Sequence, residues 1–134
     1  MHSTRIVTVF LTQNNKYLIL KRSEKVKTMK NLWAGISGII EGSEEPLFRA
    51  KREIWEETGI PENKIMFLKR ASEIRIESPQ YDNHEWLVFP FLFLVQNPII
   101  VLNWENKEYC WISPAEIKKY ETVPNLDKVL ASLL

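Results

Sequence analysis

The sequence predicts an α/β domain in which a mixed sheet is packed by helices. Three observations carry that prediction. Runs rich in β-branched and aromatic residues recur along the chain, at residues 5–11, 17–20, 65–76, 86–95 and 109–112. Helical periodicity is concentrated at residues 46–58, after Ser113, and at about residues 125–134. Strands and helices do not alternate regularly, which argues against an all-parallel sheet.

Each element has its own reason. Asn14-Asn15 separates the first two runs and reads as a hairpin turn. Residues 23–31 are polar and basic, a loop. Residues 32–40 mix short apolar pieces with Gly35, Ser37 and Gly38, so they read as irregular strand broken by a tight turn. The helix at 46–58 has Ser43 as a candidate cap, Pro46 near its start and Gly59 as its stop. Its Leu47, Ala50 and Ile54, with Phe48 and Trp55 as further candidates, supply apolar contacts. A polar loop spans 77–83. Pro90 inside the run at 86–95 suggests a bulge or an edge position. Ser113, Pro114 and Glu116 have the spacing of a capping box. No linker, repeat or low-complexity tract divides the 134 residues, so we expect one domain over 1–134.

Composition narrows the function. Apolar residues make up 45% and the net charge is +1, so there is no basic surplus for nucleic acid or a membrane surface. The longest apolar run, at 86–95, is half the length of a membrane span. It suits either a central strand or the face of a homodimer. The one cysteine, Cys110, excludes an internal disulfide and fits a cytoplasmic protein, as does an N-terminus without a signal-peptide pattern.

The segment GIIEGSEEPLFRAKREIWEETGI, at 38–60, carries the chemistry. Glu53, Glu56 and Glu57 stand at i, i+3 and i+4 and share one helical face. They repel one another and crowd the helix end where the dipole disfavours anions. A hard divalent cation would relieve both effects, and Mg²⁺ takes oxygen ligands and substrate phosphates together. Arg49 and Arg52 lie on the preceding turn, and Arg52 can pair with Glu56. Taken alone, the same pattern also fits a solvated face laced with surface ion pairs.

Gly38, Glu44, Arg52-Glu53-Ile54-Trp55-Glu56-Glu57, Gly59 and Ile60 together resemble a complete Nudix box. Looser similarity extends to Lys21-Arg22, to Trp33 and to Glu105 followed by Tyr109, Trp111, Ile112 and Ser113. The resemblance implies an α/β/α sandwich with a mixed sheet. It implies a pyrophosphohydrolase that cleaves a nucleoside diphosphate derivative by water attack at phosphorus, with Mg²⁺, or Mn²⁺ as substitute. Position by position, it implies Glu53, Glu56 and Glu57 as metal ligands, Glu53 alternatively as general base, and Arg52 and Glu44 in support. Gly38 and Gly59 would shape the loop and the helix end. Ile36-Ser37-Gly38 stands where the family often has Pro-Gly-Gly, which puts the entry loop in question.

Outside the box, the placement of Glu105 resembles that of a metal-binding glutamate in some relatives, so it is a candidate ligand or base; Glu108 and Glu85 follow. Arg22 is a candidate phosphate contact. Trp111, Trp33, Tyr81 and Trp86 are candidates to stack on a base, with core packing the stronger reading for Trp86. His84 could bind substrate or transfer a proton, although a structural role is the stronger reading. Cys110 reads as packing. Two other functions share this fold: a nucleotide-sensing domain without catalysis, and an isoprenoid diphosphate isomerase. An intact box and a badly placed cysteine argue against both. Which nucleotide is taken is not legible, although a small domain leans toward a nucleoside triphosphate or dinucleoside polyphosphate over ADP-ribose or a nucleotide sugar.

Overall fold

The computed structural model describes residues 2–77 and 84–134. Its strands are β1 (His2–Gln13), β2 (Lys16–Arg22), β3 (Trp33–Ala34), β4 (Ile36–Ile39), β5 (Met66–Arg70), β6 (Ile74–Glu77), β7 (His84–Leu94) and β8 (Asn106–Ile112). The helices are α1 (Pro46–Thr58) and α2 (Leu126–Ala131), with 3₁₀ turns at Glu62–Lys64 and Pro114–Lys119. Among the described residues the strands form one mixed sheet. Its main order is β3-β2-β1-β7-β5, with β4 added to β1, β6 to β7 and β8 to β2. β1 and β7 run parallel from His2↔His84 to Thr12↔Leu94, and the other pairings are antiparallel.

The alternation in β1 explains the layers. Val7, Val9 and Leu11 join Leu18, Leu20, Phe91 and Phe93 in a core closed by Ala50 and Ile54 of α1. Phe10 faces the other way with Ile19, Val88, Leu92 and Ile112, and is covered by Leu126, Val129, Leu130 and Leu133. A period of two thus builds two cores from one sheet, each under its own helix. This is the α/β/α sandwich that the resemblance implied. Burying Ile54 completely contributes about 2 kcal/mol.

Several local expectations change. α1 is capped by Glu45, whose carboxylate accepts from the Leu47 N–H; Ser43 lies too early, because Pro46 already occupies the first helical turn. Phe48 and Trp55 are 54% and 57% exposed and add nothing to the core. Gly59 ends the helix in the left-handed region at φ 74°, as expected. Asn14 and Asn15, at φ 51° and 60°, form the β1–β2 turn.

The run at 65–76 is two strands rather than one, and Pro90 accounts for the break. Pro90 belongs to an interior strand, facing Thr8 of β1, and is neither at an edge nor in a bulge of its own ladder with β1. Its carbonyl accepts from the Ala71 N–H, so its backbone polar side faces the gap between β5 and β6. Proline has no N–H to donate there, and the neighbouring strand is interrupted at that point. β7 has partners on both sides, which accounts for the apolar run at 86–95 as a central strand. Glu116 accepts from the Ser113 N–H at 2.8 Å, but the segment it opens is a 3₁₀ turn. The last helix is shorter than the periodicity suggested, at Leu126–Ala131. No described helix is long and apolar enough to cross a membrane.

Candidate active site

α1 presents its charged face to β4 and to the segment that leads into β8. Glu53 and Glu57 are buried there, at 6% and 3% exposure. Glu57 has both oxygens engaged: Asn106 Nδ2 donates to one at 3.0 Å and the Ser37 N–H to the other at 3.2 Å. Glu53 Oε2 accepts from Arg49 Nη1 at 3.0 Å. Arg49 also grips Glu44 through Nε at 2.9 Å and Nη2 at 2.6 Å. Glu56 is more open, and Arg52 Nε donates to it at 3.1 Å.

Gly38 explains how closely the elements approach. Its backbone is not in a conformation that requires glycine. A Cβ there would instead collide with the Glu53 carboxylate, so the glycine makes space. Gly42, at φ 55° with open space around it, serves the turn before α1.

The electrostatics follow from crowding. Burial pushes the Glu57 carboxyl well above the usual range, and the negative charges of Glu105 and Glu53 push it further. Burial also raises Glu53, against the pull of Arg49. Burial lowers the Arg22 guanidinium, while Glu57 and Glu105 oppose that shift. Arg49 is raised, chiefly by its hydrogen bonds with Glu44, and Glu44 is lowered by the same contact. Carboxylates held together at this depth call for a further positive charge.

A cavity of about 600 Å³ opens on this face, within the range of sites for small molecules. Gly38, Arg49, Arg52, Glu53, Glu56, Glu105 and Arg22 line its polar part. Ile6, Ile76, Trp86, Val88, Val123, Pro124 and Val129 line the apolar part. Glu105 is tied in through its backbone, its carbonyl accepting from the Ser23 N–H at 2.8 Å. Arg22 donates from Nε and Nη2 to the Thr28 carbonyl at 3.2 and 3.0 Å, and so fixes the loop beside the cavity.

The structure therefore brings Glu53, Glu56, Arg52, Glu105, Arg22 and Gly38 together at the cavity; Glu57 is buried close enough to feel the charges of Glu53 and Glu105 but does not itself line the cavity. It leaves others apart. Trp111 packs against the core under α1 and does not line the cavity. Trp33 meets Tyr120 edge-on. Trp86 packs against the core under α2, as expected, and also lines the cavity. Glu85 is buried between Ser3 and Arg75, and Glu108 pairs with Lys21 on the surface. His84 bonds Thr4. Tyr81 lies outside the described residues. Burial pushes the Cys110 thiol up, and it does not line the cavity.

Arg49, Asn106 and the Ser37 N–H are additions. Arg49 stands four residues before Glu53, the same spacing that linked Arg52 with Glu56, so its role was within reach of the sequence. Asn106 is distant in sequence and carries no such signal.

Comparison with known proteins agrees with this architecture. The family model described as NUDIX domain matches residues 2–133. The chain belongs to the Nudix family and is a pyrophosphohydrolase of the Nudix type. Among curated proteins, it is 26% identical over 119 residues to the dihydroneopterin triphosphate diphosphatase of Haemophilus influenzae, covering 81% of this chain and 72% of that protein. Among solved structures, it resembles the MutT protein of Methanosarcina mazei Go1, with TM-score 0.81, 24% identity and coverage of 97% and 91%. It also resembles the Ap4A hydrolase of C. elegans, with TM-score 0.75, 14% identity and coverage of 98% and 94%. At those identities the structural likenesses establish the fold.

Nudix enzymes generally use a divalent metal such as Mg²⁺. Among the described residues no three carboxylates, histidines or cysteines are grouped so that they could hold a metal ion by themselves. Mg²⁺ asks for less, since it binds through one or two carboxylates and completes its shell with water and substrate phosphates. The oxygen donors of Glu53, Glu56, Glu57 and Glu105 are of the kind such an ion takes, although Glu53 and Glu56 are already paired with Arg49 and Arg52.

Proposed function

We propose that the chain hydrolyses a phosphoanhydride bond in a small nucleoside diphosphate derivative, with Mg²⁺ as cofactor and Mn²⁺ as a substitute. The observation that carries this reading is the division of a single cavity. One part is lined by buried and half-buried carboxylates, the other by apolar side chains that suit a flat heterocycle. A pyrophosphate needs the first and a base needs the second.

Glu53, Glu56, Glu57 and Glu105 are the residues that would hold the cation. When bound, the ion neutralises the diphosphate and makes a water easier to deprotonate. The remaining work falls to the chain. Both oxygens of Glu57 are already oriented by Asn106 and Ser37, and each carboxylate oxygen keeps a further lone pair for an ion. Glu53 or Glu105 takes the proton from the attacking water. Arg52 orients Glu56. Arg22, beside the carboxylates, faces the phosphates while it braces the loop through Thr28. Trp86, Ile76 and Val88 receive the base. Nothing in this arrangement needs a thiol, and Cys110 is placed where an isomerase could not use it.

The size of the cavity suits a nucleoside triphosphate or one end of a dinucleoside polyphosphate. The test is release of phosphate or pyrophosphate from a nucleotide panel with Mg²⁺, followed by product identification. Glu56→Gln should lower turnover by a factor on the order of a thousand while the melting temperature is kept. Equal turnover by that variant would remove Glu56 from the metal site, and no Mg²⁺-dependent turnover of any nucleotide would remove the reading.

A further inference from the structure

Arg49 is not one of the box positions, yet its side chain is only 8% exposed and makes three charged hydrogen bonds. Two of them form a fork onto Glu44, which is itself anchored because its Oε1 accepts from the Glu41 N–H at 2.8 Å. The third holds Glu53 Oε2. The Glu53 carboxylate, Oε2 included, rests in the space left by the missing Cβ of Gly38. Glu44, Arg49 and Glu53 therefore form a chain that runs from the loop before α1 into the cavity. A planar guanidinium with a rigid fork can hold two carboxylates at fixed angles, and an ammonium cannot.

We propose that Arg49 is a positioning residue that reserves Oε2 of Glu53 and leaves the other oxygen for the cation. Its charge has a second effect. It stands within hydrogen-bond distance of a proposed ligand and repels the ion, so cation affinity of the free enzyme is kept low. The shell is then completed by the phosphates of the substrate, and the ion is held firmly only with the substrate in place. This rests on the reading of Glu53 as a ligand.

A purely structural ion pair and a positioning clamp make opposite predictions. Removing a structural pair lowers stability, and a lysine that keeps the charge should then keep turnover. Removing the clamp frees Oε2 and deletes a nearby positive charge, so the free enzyme should bind the ion more tightly while turnover falls. The experiment is titration of the substrate-free enzyme with Mn²⁺, with free Mn²⁺ measured by electron paramagnetic resonance, alongside kcat and KM with Mg²⁺. Arg49→Met should tighten Mn²⁺ binding by on the order of tenfold and lower kcat by a similar factor or more, with little change in the KM for nucleotide. Arg49→Lys keeps the charge and loses the fork. It should bind Mn²⁺ close to the parent and still lose turnover, and it serves as the second variant should the methionine variant fold poorly.

Unchanged or weaker Mn²⁺ binding by Arg49→Met overturns the proposal, as does Arg49→Lys with parental turnover. Glu53→Gln separates the two layers. If it leaves Mn²⁺ affinity unchanged, Glu53 is not a ligand and both readings fall. If it weakens Mn²⁺ binding while Arg49→Met does not tighten it, only the role of Arg49 falls.

Discussion

The two parts of the cavity are built on different principles. The charged part draws on α1, β4, Glu105 and the start of β8, and its key side chains are fixed by directional bonds: Asn106 and Ser37 on Glu57, Arg49 on Glu53. The apolar part draws on β1, β6, β7 and the stretch around Val123 and Val129, and its side chains are held by packing. Chemistry at phosphorus needs groups placed to within fractions of an ångström, and hydrogen bonds supply that. Holding a flat ring needs area and shape, which side chains of several kinds can provide. The charged part should therefore tolerate almost no change, and the apolar part should tolerate change at the cost of selectivity.

The strongest way to break that contrast is Gly38→Ala. One methyl group is added to the charged part, and no charge or hydrogen-bonding group is removed. Because a Cβ at this position would overlap the Glu53 carboxylate, either β4 or Glu53 must move. Displacement of this order at a reacting centre costs on the order of a hundredfold in rate. We expect kcat to fall by about that factor, with the sheet intact by circular dichroism. A variant with parental kcat would show that Glu53 has freedom to spare, and the idea of a rigid charged part would be wrong.

Trp86→Leu applies a comparable test to the apolar part and should do less. The ring lines the cavity, and its buried Nε1 has no hydrogen-bond partner among the described residues. A smaller apolar side chain loses contact area with the bound base, worth about 1–2 kcal/mol. The KM for the preferred nucleotide should rise about tenfold and kcat should change little. The preference among bases should narrow. If kcat fell and KM held, Trp86 would belong with the charged part.

The same contrast governs what could be read from the sequence. Charged side chains at helical spacing put Glu53, Glu56 and Glu57 on one face, but that spacing alone also fitted a solvated face, and it is the resemblance carried by Gly38, Glu44, Arg52 and Gly59 that singles them out. Helix α1 was legible too, because Pro46 and Gly59 mark its ends. The apolar part was not. Trp86 and Trp111 are both aromatic residues in strands, and only the register of β7 against β1 puts one at the cavity, while the pairing of β8 with β2 puts the other in the core. Asn106 was missed for a related reason: nothing about one asparagine, 49 positions from its partner, predicts their contact. The break between β5 and β6 was legible in principle. Pro90 marks it, but the effect falls on the neighbouring strand and not on its own.

Arg52→Gln sharpens the contrast from inside the charged part and should have the smallest effect on the fold. Arg52 and Glu56 form an i,i+4 pair, but their side chains are 54% and 37% exposed. Exposed pairs of this kind contribute about 0.3–0.5 kcal/mol, because water screens them and ordering two long side chains costs entropy. The melting temperature should therefore shift by no more than about 3 °C for a domain of this size, and the shift should shrink further in high salt. Arg49, three residues earlier on the same helix and buried, has no such screening. If Arg52→Gln destabilised the protein as much as Arg49→Met, burial would not be what distinguishes the two arginines. The rigidity of the charged part would then extend to its rim, and Glu56 would be held as firmly as Glu53 and Glu57.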